Sequence, residues 1–126
     1  MKIAVDFDGT IAKNDYPKIG KPVPGAFEWL QKLQQAGAKI ILWTMRSGRE
    51  LDAAVEFVEH KGILLFGVNH DPTQHTWTKS PKAYAQLYID DAALGCPLIF
   101  PENGEDPYVD WSIAGPLAMK TISDGE

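Results

Sequence analysis

Apolar and polar positions along the chain alternate between strand-like and helix-like spacing in a regular order. Lys2 to Val5 is a short run that ends against Asp6, the pattern of a strand buried on both faces. A loop rich in Pro and Gly follows. From Pro24 to Ala36 the apolar positions Ala26, Leu30 and Leu33 share one side of a predicted helix, with Phe27 and Trp29 flanking it and Gly37 suited to the C-terminal cap. Lys39 to Trp43 is a second buried strand. Beyond Thr44, Met45 and Arg46 the spacing predicts a helix from about Gly48 to His60. Ser47 and Glu50 have capping-box spacing, Leu51, Ala54, Val55 and Val58 form the apolar face, and Gly62 ends it.

Ile63 to Val68 reads as a third strand, and 69–79 as a polar loop carrying His70, His75 and Trp77. Ser80 and Pro81 resemble an N-cap followed by Pro at the first helical position, which predicts a short helix through Gln86 with Lys82 in its first turn. Leu87 to Asp90 is a fourth strand and Pro97 to Phe100 a fifth. Pro101 to Asp110 is rich in turn residues, and Trp111 to Lys120 is a candidate terminal helix despite Gly115 and Pro116. Strands alternating with helices imply right-handed crossovers and a mainly parallel five-stranded sheet, a three-layer Rossmann-like α/β domain.

Composition narrows this picture. A chain of 126 residues, 44% hydrophobic, is the size of one core, so 1–126 is expected to be a single domain with 101–126 as a C-terminal extension. The net charge of −5, with 17 acids against 12 bases, disfavours general nucleic-acid binding. The single cysteine, Cys96, excludes an internal disulfide and a cysteine-rich zinc site and reads as a buried thiol. With neither a signal-like apolar stretch before Asp6 nor a run of membrane-spanning length, the expectation is a cytoplasmic protein without membrane partners. Oligomeric state stays open.

The candidate chemistry lies where the strands end. Asp6, Thr44 and the Asp90-Asp91 pair all fall at or just beyond the C-terminal ends of predicted strands, the edge where open parallel sheets bind ligands. Asp6 and Asp8 suit two jobs if the chain turns sharply at Gly9: one carboxylate attacks phosphorus while the other handles protons. Carboxylates brought close together repel one another, and a divalent cation neutralises them. An all-oxygen shell completed by substrate phosphate points to magnesium. Lys82 would add positive charge where phosphoryl charge spreads, and Thr44 a hydroxyl donor.

Asp6-Phe7-Asp8-Gly9-Thr10-Ile11 resembles the first motif of the haloacid dehalogenase superfamily, Ile40 to Thr44 the second, Lys82 the third, and Tyr88-Ile89-Asp90-Asp91 the fourth, together spanning about residues 2–100. The resemblance implies that Asp6 is the nucleophile of a phosphate monoester hydrolase and Asp8 its general acid and base. Thr44 and Lys82 would hold the phosphoryl oxygens. Magnesium would be bound by Asp6, the Asp8 main-chain carbonyl and Asp90, with Asp91 acting through water. It further implies a sheet ordered 5-4-1-2-3. The intervals are too short for the family's cap domains, so the protein resembles a capless member whose open site admits a phosphorylated substrate, including a bulky or macromolecular one.

Other readings of these residues stand beside that one. An Asp-x-Asp-Gly run occurs in calcium loops, but the later ligand positions hold Thr10 and Pro17. A signalling receiver domain also gathers carboxylates, Thr and Lys around magnesium, although its acidic pair follows the first strand rather than the fourth. A phosphate-binding or scaffold protein on the same fold, with little turnover, is the alternative function. Lys79 competes with Lys82. Arg46 is a candidate substrate-binding residue, ahead of Arg49, although arginines beside a helix start are often solvated or paired. An alignment through Ser47, Gly48 and Arg49 resembles polynucleotide 3′-phosphatases, but the capping box accounts for Ser47. Trp77 suits the core better than a stacking role, and Asp15, Tyr16 and Lys18 are rim candidates on a flap-like loop.

Overall fold

Four short apolar runs pair as parallel strands because each is flanked by segments long enough to cross back over the sheet. In the computed structural model, which describes residues 1–124, these are β1 (Lys2–Val5), β2 (Lys39–Leu42), β3 (Leu65–Val68) and β4 (Leu87–Ile89), in the order β3-β2-β1-β4. α1 (Ala26–Gln35) joins β1 to β2, and α2 (Gly48–His60) joins β2 to β3. These two connections step in one direction along the sheet. The third, from β3 to β4, steps back past β2 and β1, so a right-handed crossover sends it over the opposite face.

Side-chain alternation carries the same division. Ile3 and Val5 of β1, Ile40 and Leu42 of β2 and Ile89 of β4 form one core with Leu30 and Leu33 of α1 and Ala54 and Val58 of α2. Ala4 and Ile41, which alternate with them, lie outside that core yet are fully buried, as is Ala83. The segment 69–86 supplies the covering layer on that side. Three layers are present, but the third is irregular apart from one 3-10 turn over Gln74–Thr76 and contains no α-helix.

The short helix expected over 80–86 does not form. Buried Gln74 takes its place as a hydrogen-bonding hub: its Nε2 donates to the carbonyls of Ser80 (3.1 Å) and Lys82 (3.0 Å), and its Oε1 accepts from the backbone of Asp71 (3.1 Å) and Tyr84 (2.9 Å). The Tyr88 hydroxyl donates to the Ala83 carbonyl at 2.6 Å and accepts from the Ala85 amide at 3.2 Å. With these backbone groups satisfied by side chains, the segment has no need of helical bonds. The capping box is also absent, since Ser47 makes no side-chain cap bond although α2 has its expected bounds. Gly48 enters the helix with φ 55°, displacing the first turn from ordinary helical entry.

The fifth strand does not join the parallel sheet. Leu98–Ile99 (β5) pairs antiparallel with Tyr108–Val109 (β6) in a separate two-stranded sheet, so the observed order is 3-2-1-4 rather than 5-4-1-2-3. Pro97 and Pro101 bracket three residues, of which Leu98 and Ile99 form the strand, and the nearby β6 supplies its partners. The tail then continues as α3 (Trp111–Asp124), which packs on α1. Gly115 lies so close to Trp29 that a Cβ there would enter the indole ring. No cap domain interrupts the described chain, and no helix among the described residues is long and apolar enough to cross a membrane.

The irregular layer is pinned to β1 by an ion pair. Lys2 Nζ lies 2.5 Å from Asp71 Oδ2, and the other Asp71 oxygen accepts from the Thr73 amide (2.8 Å) and hydroxyl (2.7 Å). Burial pushes this carboxyl up, but the bonds from Lys2 and Thr73 outweigh it and hold it at about 2, against an ordinary 3.8. A carboxylate whose folded value is depressed stabilises the fold above its unfolded value, and that contribution is lost as pH falls through the folded one. Asp71→Asn is therefore expected to cost about 2 kcal/mol at neutral pH and to flatten the loss of stability between about pH 4 and pH 2. Denaturant titrations across that interval check both; an unchanged acid limb in the variant contradicts the assignment.

Candidate functional site

Each of the four parallel strands ends at one cavity. The ladder bonds run past the strand ends: Asp6 N–H donates to the Ile89 carbonyl (2.9 Å), Trp43 N–H to Val5 (2.9 Å) and Asn69 N–H to Leu42 (2.7 Å). The residues just beyond are thereby fixed side by side, and a cavity of about 350 Å³ is lined by Asp6, Trp43, Thr44, Met45, Asn69, Pro81 and Asp90. Asp6, Thr44 and Asp90, expected at strand ends, are brought together there. Trp43, Pro81 and the almost fully exposed Met45 give the cavity apolar walls and an open lip.

Asp6, Asp90 and Asp91 each offer a carboxylate oxygen, and these oxygens lie within 4.8 Å of one another. The chain reaches this arrangement through Gly9, whose φ of 84° turns it sharply. A Cβ at Gly9 would run into the Asp91 carboxylate, so the approach of the two segments depends on its absence. Buried Thr10 sits between the acids. Its hydroxyl lies 3.1 Å from Asp6 and 3.5 Å from Asp91, and it accepts from the Asp91 amide at 3.2 Å.

The tail braces the same loop. Trp111, buried, donates its indole N–H to the Thr10 carbonyl at 2.7 Å, and Val109 N–H donates to the Gly9 carbonyl at 2.9 Å. Thr10 and Trp111 thus support the site; Thr10 falls within the first motif of the sequence with no role assigned to it, and Trp111 stands out by neither charge nor spacing.

Burial, a shared hydrogen bond with Asp91 and the charges of Asp90 and Asp91 push the Asp6 carboxyl up to about 8 from 3.8; the Thr10 hydroxyl opposes the rise. Asp91 is also pushed up, through burial and the Asp90 charge, against the hydrogen bond it shares with Asp6. Three crowded carboxylates, with two of them held toward the protonated form, make a hard oxygen donor set that fits a divalent cation such as magnesium or calcium.

Asp8 and Arg46 are placed differently from expectation. The Asp8 carboxylate stands outside the three-acid cluster, in a neighbouring cavity with Asn14, Asp91 and Asp106. Arg46 grips it with two bonds of 2.8 Å, from Nε and Nη2. The guanidinium also donates from Nη2 to the Lys18 carbonyl (2.7 Å) and from Nη1 to Pro17 (3.1 Å) and Glu50 (3.4 Å). With all five N–H groups engaged and its side chain 1% exposed, Arg46 is not free to bind substrate as expected from the sequence. It instead ties Asp8 to the loop carrying Pro17 and Lys18, which is the paired alternative for an arginine beside a helix start.

Lys82 lines a different cavity, with Trp77, Tyr84 and Tyr88, and its ammonium lies 5.2 Å from the centre of the Tyr88 ring. Trp77 is 63% exposed and packs edge-on against Tyr84, so it is not a core residue. No Lys or Arg lines the Asp6 cavity among the described residues. Thr44 presents a hydroxyl that accepts from Arg46 N–H at 3.1 Å, leaving its proton available.

The chain is similar to a conserved protein from Bacteroides thetaiotaomicron whose structure is known. The two share 38% sequence identity over 100% of this chain and 92% of that one, with a TM-score of 0.76. The chain belongs to the family of that conserved protein. No protein-family model and no curated protein matches it.

The site's electrostatics make a prediction with a definite sign. A carboxyl whose folded value is raised stabilises the fold below its unfolded value and loses that contribution as pH rises through the folded one. Without a divalent cation, the Asp6 cluster should cost stability progressively from about pH 4 to pH 8. Magnesium binding to the folded state offsets this cost, so its increment in Tm should be larger at pH 8 than at pH 5 and absent in Asp6→Asn. Thermal melts with magnesium or with chelator at the two pH values measure this; equal increments, or an increment kept by the variant, contradict a metal centre at Asp6.

Proposed function

We propose that the protein is a magnesium-dependent phosphate monoester hydrolase of the haloacid dehalogenase type, with Asp6 as nucleophile. The observation that carries this reading is the position of Asp6. It is the first residue beyond the inner strand β1, with a carboxylate oxygen within 4.8 Å of those of Asp90 and Asp91, in an open cavity that also holds the Thr44 hydroxyl. Phosphoryl transfer needs a nucleophile, a positive centre and oriented donors in one place, and little else from the protein.

Asp6, Asp90 and Asp91 would hold the cation. When bound, it supplies the positive charge that keeps Asp6 ionised and offsets the charge of the phosphoryl group. An Asp6 oxygen forms a bond to phosphorus as the bond to the leaving oxygen breaks, and Asp8 gives that oxygen its proton. Asp8 then takes a proton from water, the water oxygen bonds to phosphorus, and the Asp6–phosphorus bond breaks to release inorganic phosphate. Arg46 is a positioning residue in this scheme: its two bonds set the plane of the Asp8 carboxylate, and Asp8 carries the proton it donates only when one of them is released.

Lys82 directly follows Pro81, which lines the cavity. Its contact with Tyr88 is an exposed cation–π interaction of about 0.5–1 kcal/mol, weak enough for an anion in the cavity to redirect the side chain. The apolar lip at Trp43 and Met45 suits a leaving group with an apolar or planar part, and the absence of a cap leaves room for a bulky one.

One observation favours a second reading. With Asp8 held by Arg46 and Lys82 on Tyr88, the same site could bind metal and phosphate with little turnover.

A hydrolysis screen separates the two. With magnesium, the wild type is expected to release phosphate from at least one of an aryl phosphate, nucleotides, sugar phosphates, phosphopeptides, or 3′- and 5′-phosphorylated oligonucleotides. Asp6→Asn should lose at least about 1000-fold in rate. Asp8→Asn should lose less on aryl phosphates than on alkyl ones, because a good leaving group needs little protonation. Full activity in Asp6→Asn sinks the mechanism, and binding without turnover of any member by the wild type supports the second reading.

A further inference from the structure

Asn69 occupies at β3 the position that Asp6 occupies at β1, the first residue beyond the strand. Its N–H bond to the Leu42 carbonyl carries the ladder to the cavity edge, and it lines that cavity with Asp6, Thr44 and Asp90. It is also the one non-glycine residue with positive φ, 60°, among the described residues. Asparagine tolerates that conformation better than most residues, but glycine would adopt it without strain. What asparagine adds there is its amide group.

The two ends of that amide have different surroundings. Thr44 N–H lies 2.8 Å from Oδ1, and because a backbone N–H can only donate, its partner must be the amide oxygen. The NH2 group is thereby oriented away from Thr44. It has no acceptor among the described residues, and no unpaired side-chain nitrogen or oxygen among them is buried, so the NH2 is open to solvent. The ionisable groups of the cavity, Asp6 and Asp90, are acidic. An anion entering it finds two neutral protein donors on neighbouring strand ends, the Thr44 hydroxyl and the Asn69 NH2.

We infer that Asn69 is a further catalytic residue: its Oδ1 fixes the Thr44 backbone while its NH2 donates to a non-bridging oxygen of the phosphoryl group. This rests on the phosphatase reading above and adds to it a protein donor opposite the acidic cluster. A donor directed at transition-state charge acts on the chemical step, whereas a residue that only fixed the Thr44 backbone would need nothing but its acceptor.

Two substitutions divide these roles. Asn69→Asp keeps an oxygen acceptor for Thr44 N–H and removes the NH2 donor, and Asn69→Gly keeps the backbone conformation and removes both. Each is expected to lower kcat/KM for an aryl phosphate by about 100-fold while retaining a folded thermal transition. In wild-type protein with magnesium, the Asn69 side-chain NH2 resonances, assigned by their loss in Asn69→Gly, should shift on addition of inorganic phosphate. Wild-type kinetics in Asn69→Asp, wild-type kinetics in Asn69→Gly, or NH2 resonances unmoved by phosphate while the Thr44 amide shifts would each overturn the inference and leave the phosphatase reading intact. Absence of turnover in the wild type itself overturns both.

Discussion

Like charges held close together in a half-buried place govern this structure. Asp6, Asp90 and Asp91 would separate if their backbones allowed it, and the chain spends several devices on preventing that. β1 and β4 are adjacent, so their last residues emerge side by side. Gly9 has no Cβ to hold Asp91 away, the Thr10 hydroxyl sits between the acids, and Trp111 and Val109 hold the Thr10 and Gly9 carbonyls from behind. Burial first, and the neighbouring carboxyls after it, raise Asp6 toward the protonated form, which gives the folded protein an affinity for positive charge at that point. Tail, turn and sheet order all bear on one electrostatic arrangement.

The two cations read from the sequence separate on energetic grounds. Arg46 is buried, bidentate to Asp8 and bonded to three carbonyls. Removing such a partner leaves a carboxylate uncompensated, at a cost of about 3–5 kcal/mol in comparable buried pairs. Lys82 rests on one aromatic face, where the cost of leaving is a small fraction of that. Arg46 is therefore part of the frame that orients Asp8, and Lys82 is the side chain with freedom to respond to a ligand. Charge and sequence position do not distinguish them; burial and hydrogen-bond count do.

What was legible in the sequence was whatever periodicity or motif order records. The buried runs of β1 and β2, the apolar face of α2 and the placing of Asp6, Thr44 and Asp90 at strand ends all follow from local pattern. The failures have a common physical origin in contacts between residues distant along the chain or in side chains that replace backbone bonds. Ser80-Pro81 is a reasonable helix start, but Gln74 satisfies the backbone groups that would have formed the helix. Leu98 and Ile99 are strand-like, but a local partner in β6 removes them from the main sheet. Trp111 is one apolar residue in a tail until its indole reaches Thr10. Asn69 is the first residue of a polar loop in the sequence, and the strand-end position that marks Asp6, Thr44 and Asp90 marks it too.

In the proposed mechanism Asp6 itself carries the phosphoryl group. The most direct measurement is an acid-quenched single turnover, with magnesium and a hydrolysed aryl phosphate, followed by mass spectrometry of peptides from the quenched protein. One phosphoryl group is expected on the peptide containing Asp6, labile to hydroxylamine and absent in Asp6→Asn. Turnover with the phosphoryl group on another residue, or with none trapped on Asp6 while substrate is being consumed in a burst, would contradict it.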